Sequence, residues 1–172
     1  LWSRALLMPM SKPNNPTIKL ALAVQYGTAA PLLPRWRIRR WVQRALMAAQ
    51  SDQALEFSAF TAVVRIENLA NARMFNAQYR NKDYATNVLT FEYGVTPDGS
   101  ASADIVLCLP IIKQEARAQR KDFLCHAAHL TIHGTLHALG YDHVRARDAK
   151  HMEALEVKIL AEMGISDPYD AQ

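Results

Sequence analysis

His133-Gly134-Thr135-Leu136-His137-Ala138-Leu139-Gly140-Tyr141-Asp142-His143 is the stretch on which the reading of this chain turns. Its first half continues a run without proline and takes a helix. Histidines four residues apart on that helix share one face, roughly 6 Å apart along the axis. Gly140 can adopt the left-handed conformation that ends a helix. The chain can then turn back and bring His143 to the same point. Three neutral imidazoles that leave one position open make a catalytic zinc site rather than a structural one. The expectation is one Zn2+ per chain on His133, His137 and His143. His126, His129 and His151, the other histidines of the chain, read individually as satisfied core or surface residues.

The spacing H-x-x-x-H-x-x-G-x-x-H is shared with metzincin proteases. There the first histidine is followed by the glutamate that serves as general base. Here that place is Gly134. A glycine inside a helix costs about 1 kcal/mol relative to alanine, so something other than local propensity holds it. Close packing on a neighbouring strand and room for a bulky substrate are both compatible with the sequence.

Working outward, 17–27 alternates apolar and polar residues and reads as a strand. From Pro34, the series Ile38, Trp41, Val42, Ala45, Leu46, Ala49 steps by three and four, one helical stripe. Strands are expected over 57–66, 87–93 and 104–109, with a turn over 94–102 around Pro97-Asp98-Gly99. Helices are expected over 69–79, 110–121, 122–139 and 146–163, the last closed by Gly164 with Pro168 beyond. Strands early and helices late give a single compact α+β domain. Its core is a mixed sheet of about four strands, with the histidine site at the end of a helix in the C-terminal half.

Composition agrees. The chain has 172 residues, 50% of them hydrophobic and 21% charged, with a formal net charge of +4. That excludes disordered, collagen-like and disulfide-scaffold classes, and the mild basic excess tilts towards a polyanionic partner. No apolar run reaches the roughly 20 residues of a membrane-spanning helix, so no membrane partner is expected. Cys108 and Cys125 are too few and too far apart for a disulfide framework or a C-x-x-C site. A reducing cytoplasm is the expected compartment. Residues 1–16 read as a disordered leader or a mis-assigned start, with Met8 or Met10 as the expected true start and 17–170 as the catalytic domain.

The motif resembles that of the YbeY family, bacterial zinc-dependent endoribonucleases, in His133-Gly134-x-Leu136-His137-x-x-Gly140-Tyr141-Asp142-His143. The likeness extends to Tyr79-Arg80, to Thr86-Asn87-Val88-Leu89-Thr90-Phe91, to Asp104-Ile105-Val106-Leu107 and to Met152-Glu153-Ala154-Leu155-Glu156. It departs at Ala138, where leucine is usual, and at Ala103, where glycine is usual. The resemblance implies cleavage of single-stranded RNA in ribosomal RNA maturation, notably at the 3′ end of the small-subunit RNA, and ribosome quality control. It implies partners in the small ribosomal subunit and its assembly factors. It also carries the zinc ligands onto His133, His137 and His143 and the catalytic arginine onto Arg80, so that Arg80 and His133 stand as the catalytic residues.

Arg80 suits that role chemically. Phosphodiester cleavage builds negative charge on non-bridging oxygens, and a guanidinium aimed there grips and stabilises it. Zinc in such a site either polarises a phosphoryl oxygen or supplies hydroxide. Arg37, Arg40 and Arg44 line one outward helix face, either a solvated surface or an RNA-backbone tract. Asp142 either orients an imidazole or caps a turn. Two other functions compete with RNA cleavage: a zinc hydrolase acting on peptide, and a non-catalytic ribosome-assembly factor with structural zinc. The missing glutamate disfavours the first, and the open coordination position disfavours the second.

Overall fold

In the computed structural model, residues 16–82 and 84–170 are described. The leader expected over 1–16 therefore lies, Pro16 apart, outside the described residues. The elements run β1 (Lys19–Tyr26), α1 (Arg35–Asp52), β2 (Ala59–Glu67), α2 (Leu69–Arg80), β3 (Val88–Val95), β4 (Ser100–Cys108), α3 (Leu109–Ala118), α4 (Phe123–Ala138) and α5 (Ala146–Glu162). The four strands form one mixed sheet in the order β1-β2-β4-β3, parallel except for the β3–β4 hairpin. The expected α+β class is the observed one. Among the described residues no helix is long and apolar enough to cross a membrane.

The helical stripe of α1 is the one its spacing predicts: Ile38, Trp41, Val42, Ala45, Leu46 and Ala49 are its buried residues. Central β4 is closed from Ile105 to Cys108, all buried, as a strand with neighbours on both sides and helices on its faces must be. Burial also pushes the Cys108 thiol up, so it behaves as a small hydrophobe. The hairpin is longer than the sequence suggests. Strand β3 continues through Gly94, which takes φ +77°, and an irregularity between Glu92 and Val95 absorbs the change of register. The turn proper is Thr96–Gly99, closed by the Gly99 amide donating to the Thr96 carbonyl and the Thr96 amide to Ser100.

Helix α4 lies on β3 and β4, and Gly134 sets the distance. A Cβ built there would stand 3.0 Å from Ile105 Cγ2, 3.0 Å from Val88 Cγ2 and 3.3 Å from Thr90 Oγ1. Close packing therefore accounts for the glycine. Thr90 Oγ1 uses the same approach to donate to the Gly134 carbonyl at 3.0 Å. Within the helix, Thr131 and Thr135 satisfy their buried hydroxyls on carbonyls four residues back.

The packing predicts a graded response at this position. Gly134→Val should lower unfolding stability by about 1–3 kcal/mol, the usual cost of overfilling a packed contact. Gly134→Ala should fall closer to the parent protein, because about 1 kcal/mol of helix propensity offsets the displaced methyls. Urea unfolding of the two variants measures this. Equal stability of Gly134→Val and the parent would show that α4 does not depend on the contact.

Candidate metal centre

Helix α4 is capped at its start by Asp122, whose carboxylate accepts from the Cys125 amide, and ends in a glycine turn. Gly140 has φ +99°, and the Tyr141 amide donates back to the Leu136 carbonyl at 3.1 Å. Asp142 Oδ1 then accepts from the amides of His143 and Val144, at 2.7 and 3.1 Å. Of the two roles open to Asp142, this is the turn cap. Tyr141 fixes the turn from the other side. Its buried hydroxyl donates to Asp52 Oδ2 at the end of α1, at 2.6 Å, and the phenol is held well above its ordinary range by burial and by that carboxylate.

These constraints bring His133, His137 and His143 together, with one ligand atom from each lying within 4.8 Å of the others. The ring protons are also placed. His137 Nδ1 donates to the Tyr141 carbonyl at 2.9 Å, and His133 Nδ1 to Glu156 Oε1 at 2.5 Å. In its neutral form each ring then presents the lone pair on Nε2, the form a metal requires. His143 Nδ1 stands 2.8 Å from His137 Nε2. Burial, then the neighbouring His133 and His143, lower the pKa of His137 to about 4. It is neutral at pH 7. The donor set and its tautomers fit a divalent ion bound by three imidazoles.

Glu156, on α5, is the residue that sequence reasoning missed. It is 0% exposed. Burial alone would raise its carboxyl, but hydrogen bonds from His129 and His133 dominate and hold it down at about 2. His129 Nε2 donates to Oε2 at 3.0 Å, and the Tyr169 hydroxyl donates to the same oxygen. His129, His133 and Glu156 also cluster closely enough to hold an ion. In this structure, however, their atoms are paired with one another as donors and acceptor. A carboxylate behind a ligand histidine fixes its orientation and raises its basicity. The signal was present: Met152, Leu155, Glu156 and Ile159 form the buried face of α5, and an acid on an apolar stripe needs a partner.

The trio opens on a cleft of about 720 Å³ whose other wall includes Arg80, Asn87, Thr90 and Glu92. Arg80 is the last residue of α2, and the helix is stopped there by Asn81 in the left-handed conformation, φ 55°. Its Nη2 donates to the Thr90 carbonyl at 2.6 Å. The structure thus places Arg80 and the three histidines on one cleft. His151 lies apart, paired with Asp52 at 2.8 Å, and His126 pairs with Glu115 at 3.1 Å. On α1, Arg37 donates to the Leu32 carbonyl and lies over Trp36, so part of that basic face serves local structure.

Comparison with known proteins bears on this site. Residues 28–164 match the family model described as endoribonuclease YbeY. The chain is 60% identical over 150 residues to a Bordetella avium protein named endoribonuclease YbeY, covering 87% of this chain and 93% of that one. It is 58% identical over 151 residues to one of the same name from Bordetella pertussis, covering 88% and 96%. A third of that name, from Burkholderia pseudomallei, is 47% identical over 152 residues, covering 88% of this chain and 80% of its own. The fold resembles a solution structure of a Thermotoga maritima protein, with TM-score 0.54 and 20% identity, over 88% of this chain and 100% of that one.

Metal content tests the centre directly. Purified protein should hold one divalent transition metal per chain. His133→Ala, His137→Ala and His143→Ala should each lose it, and His151→Ala should keep it. Glu156→Gln should retain the fold and weaken metal affinity about 10- to 100-fold in chelator competition. Full occupancy in two of the three ligand variants would overturn the assignment.

Proposed function

This chain belongs to the endoribonuclease YbeY family, and on that premise we propose that it cleaves single-stranded RNA in ribosomal RNA maturation. The reading extends to the 3′ end of the small-subunit RNA and to ribosome quality control, in the cytoplasm, with the small subunit and its assembly factors as partners. The catalytic domain is residues 17–170. The observation that carries the proposal is a shared cleft: Arg80 faces the same space as His133, His137 and His143. In this reading the trio holds one zinc ion, and Arg80 and His133 are the catalytic residues.

Zinc bound there supplies Lewis acidity and lowers the pKa of water. The chain's own residues do the rest. One N–H of Arg80 is committed to the Thr90 carbonyl, which fixes the plane of the guanidinium and leaves the fork to meet non-bridging phosphate oxygens. His133 is steadied through Glu156, and His137 through the Tyr141 carbonyl. Neither ring needs to reorganise as charge develops on the phosphate, which is the condition for electrostatic stabilisation to act at the transition state. Peptide hydrolysis is less well supported, because Gly134 occupies the position of the protease base. A structural-zinc assembly factor is also less well supported, since three ligands beside a broad cleft leave a coordination position open.

Arg80 separates turnover from binding. Arg80→Ala should keep fold and metal while lowering single-turnover cleavage of a short single-stranded RNA by about a hundredfold or more. Arg80→Lys should restore part of that, because an ammonium keeps the charge but not the planar fork. A parent-like rate for Arg80→Ala at saturating RNA would reduce Arg80 to a binding residue at most.

A further inference from the structure

Side chains alternate across a strand, so Thr90 faces α4 while Phe91 and Tyr93 face the opposite side of the sheet. There they meet α2. Tyr79 lies 5.0 Å from the Phe91 ring, and Phe75 stacks on Tyr79 at 6.2 Å with the planes 18° apart. Two arginines bracket this row. The Arg65 guanidinium lies 5.7 Å from the Phe75 ring, and that of Arg80 lies 5.7 Å from the Phe91 ring. The row is not covered. Tyr79 is 59% and Tyr93 63% exposed, and Tyr93 is held in place by its hydroxyl donating to Asp104 at 3.0 Å.

We propose that Tyr79, with Phe75 and Phe91 against it, is a stacking platform for an unpaired nucleobase of the RNA whose phosphate is held at Arg80. The inference rests on the RNA-cleaving reading above and adds a base-recognition site to it. Continuity with the cleft argues for RNA as the occupant. Arg80 reaches across the free edge of β3 to the Thr90 carbonyl, so one guanidinium borders both the cleft and the aromatic row. Charge adds to this at one point: Arg80 borders the row, whereas Arg65 is paired with Asp104 at 3.8 Å and holds the far end of the row in place. The rings, held by one another, lose little freedom on binding. Stacking on aromatic faces is indifferent to base identity but requires a face not already covered by duplex neighbours. The platform thus gives a preference for single strands a physical cause.

The test is single-turnover cleavage of a short single-stranded RNA by the metal-loaded protein across a range of enzyme concentrations. Half-saturation and maximal rate are read separately. Tyr79→Ala should raise the half-saturating concentration about tenfold, within the range of one lost base stack, with the maximal rate changed less than about twofold. Tyr79→Phe should restore most of the loss. An RNA with one abasic nucleotide, moved stepwise past the cleavage point, should at one position cost the parent protein the same tenfold and cost Tyr79→Ala nothing more. The abasic scan on the parent needs no variant to fold. An unchanged half-saturation for Tyr79→Ala, abasic and Tyr79→Ala losses that add, or a flat abasic scan would overturn the platform while leaving RNA cleavage standing. No cleavage of single-stranded RNA by the parent would overturn both.

Discussion

Thr90 holds the two halves of the site in register. Its hydroxyl donates to the Gly134 carbonyl, fixing the helix that carries His133 and His137. Its carbonyl, on the open edge of the sheet, accepts from Arg80. The two bonds leave one residue in different directions, so the separation of arginine and histidines is set by a single strand position. This works only because β3 is an edge strand. In a central strand that carbonyl would be spent on a neighbour. It also works only because Gly134 lets α4 approach to side-chain methyl distance.

The second constraint is a buried charge. A carboxylate with no solvent contact is costly unless fully hydrogen-bonded, and Glu156 meets that condition with three donors. His129 and His133 come from α4, and Tyr169 from beyond α5. Satisfying one carboxylate therefore docks α5 and the segment after it against the helix that bears His133 and His137. The same bonds choose the tautomer of His133. Fold stability and ligand readiness are one arrangement here.

What the sequence could disclose follows the range of the interactions. The apolar stripe of α1 and the glycine stop of α4 are local patterns, and the structure reproduces both. The strand order β1-β2-β4-β3 is not local, since β4 inserts beside β2 only after β3 has been made. The sequence predicts a shorter hairpin because Gly94 reads as a terminator, whereas in the structure it sits at a strand irregularity with positive φ. Glu156 and Tyr141 show the same limit at the site. Their partners lie 23 and 89 residues away, at His133 and Asp52. The three histidines stand in the sequence as a motif; the groups that orient them, Glu156 and Asp52 through Tyr141, come from other elements, and no spacing rule joins them.

Charge ties the neutral state of His137 to the acidic lining of the cleft. The cleft that holds Arg80 is also lined by Glu92 and Asp142, so its own side chains set one guanidinium against two carboxylates. A phosphodiester entering that space gains little from the protein by itself. Protonated imidazoles could reverse the balance, but burial and the adjacent rings keep His137 neutral down to about pH 4. The arrangement gives up imidazolium charge for lone pairs, which is worthwhile only if a cation of higher charge density occupies the point where they converge. On the RNA-cleaving reading proposed above, positive potential at the phosphate comes from two directions, from that point and from Arg80. The carboxylates at the rim disfavour anions that cannot reach both.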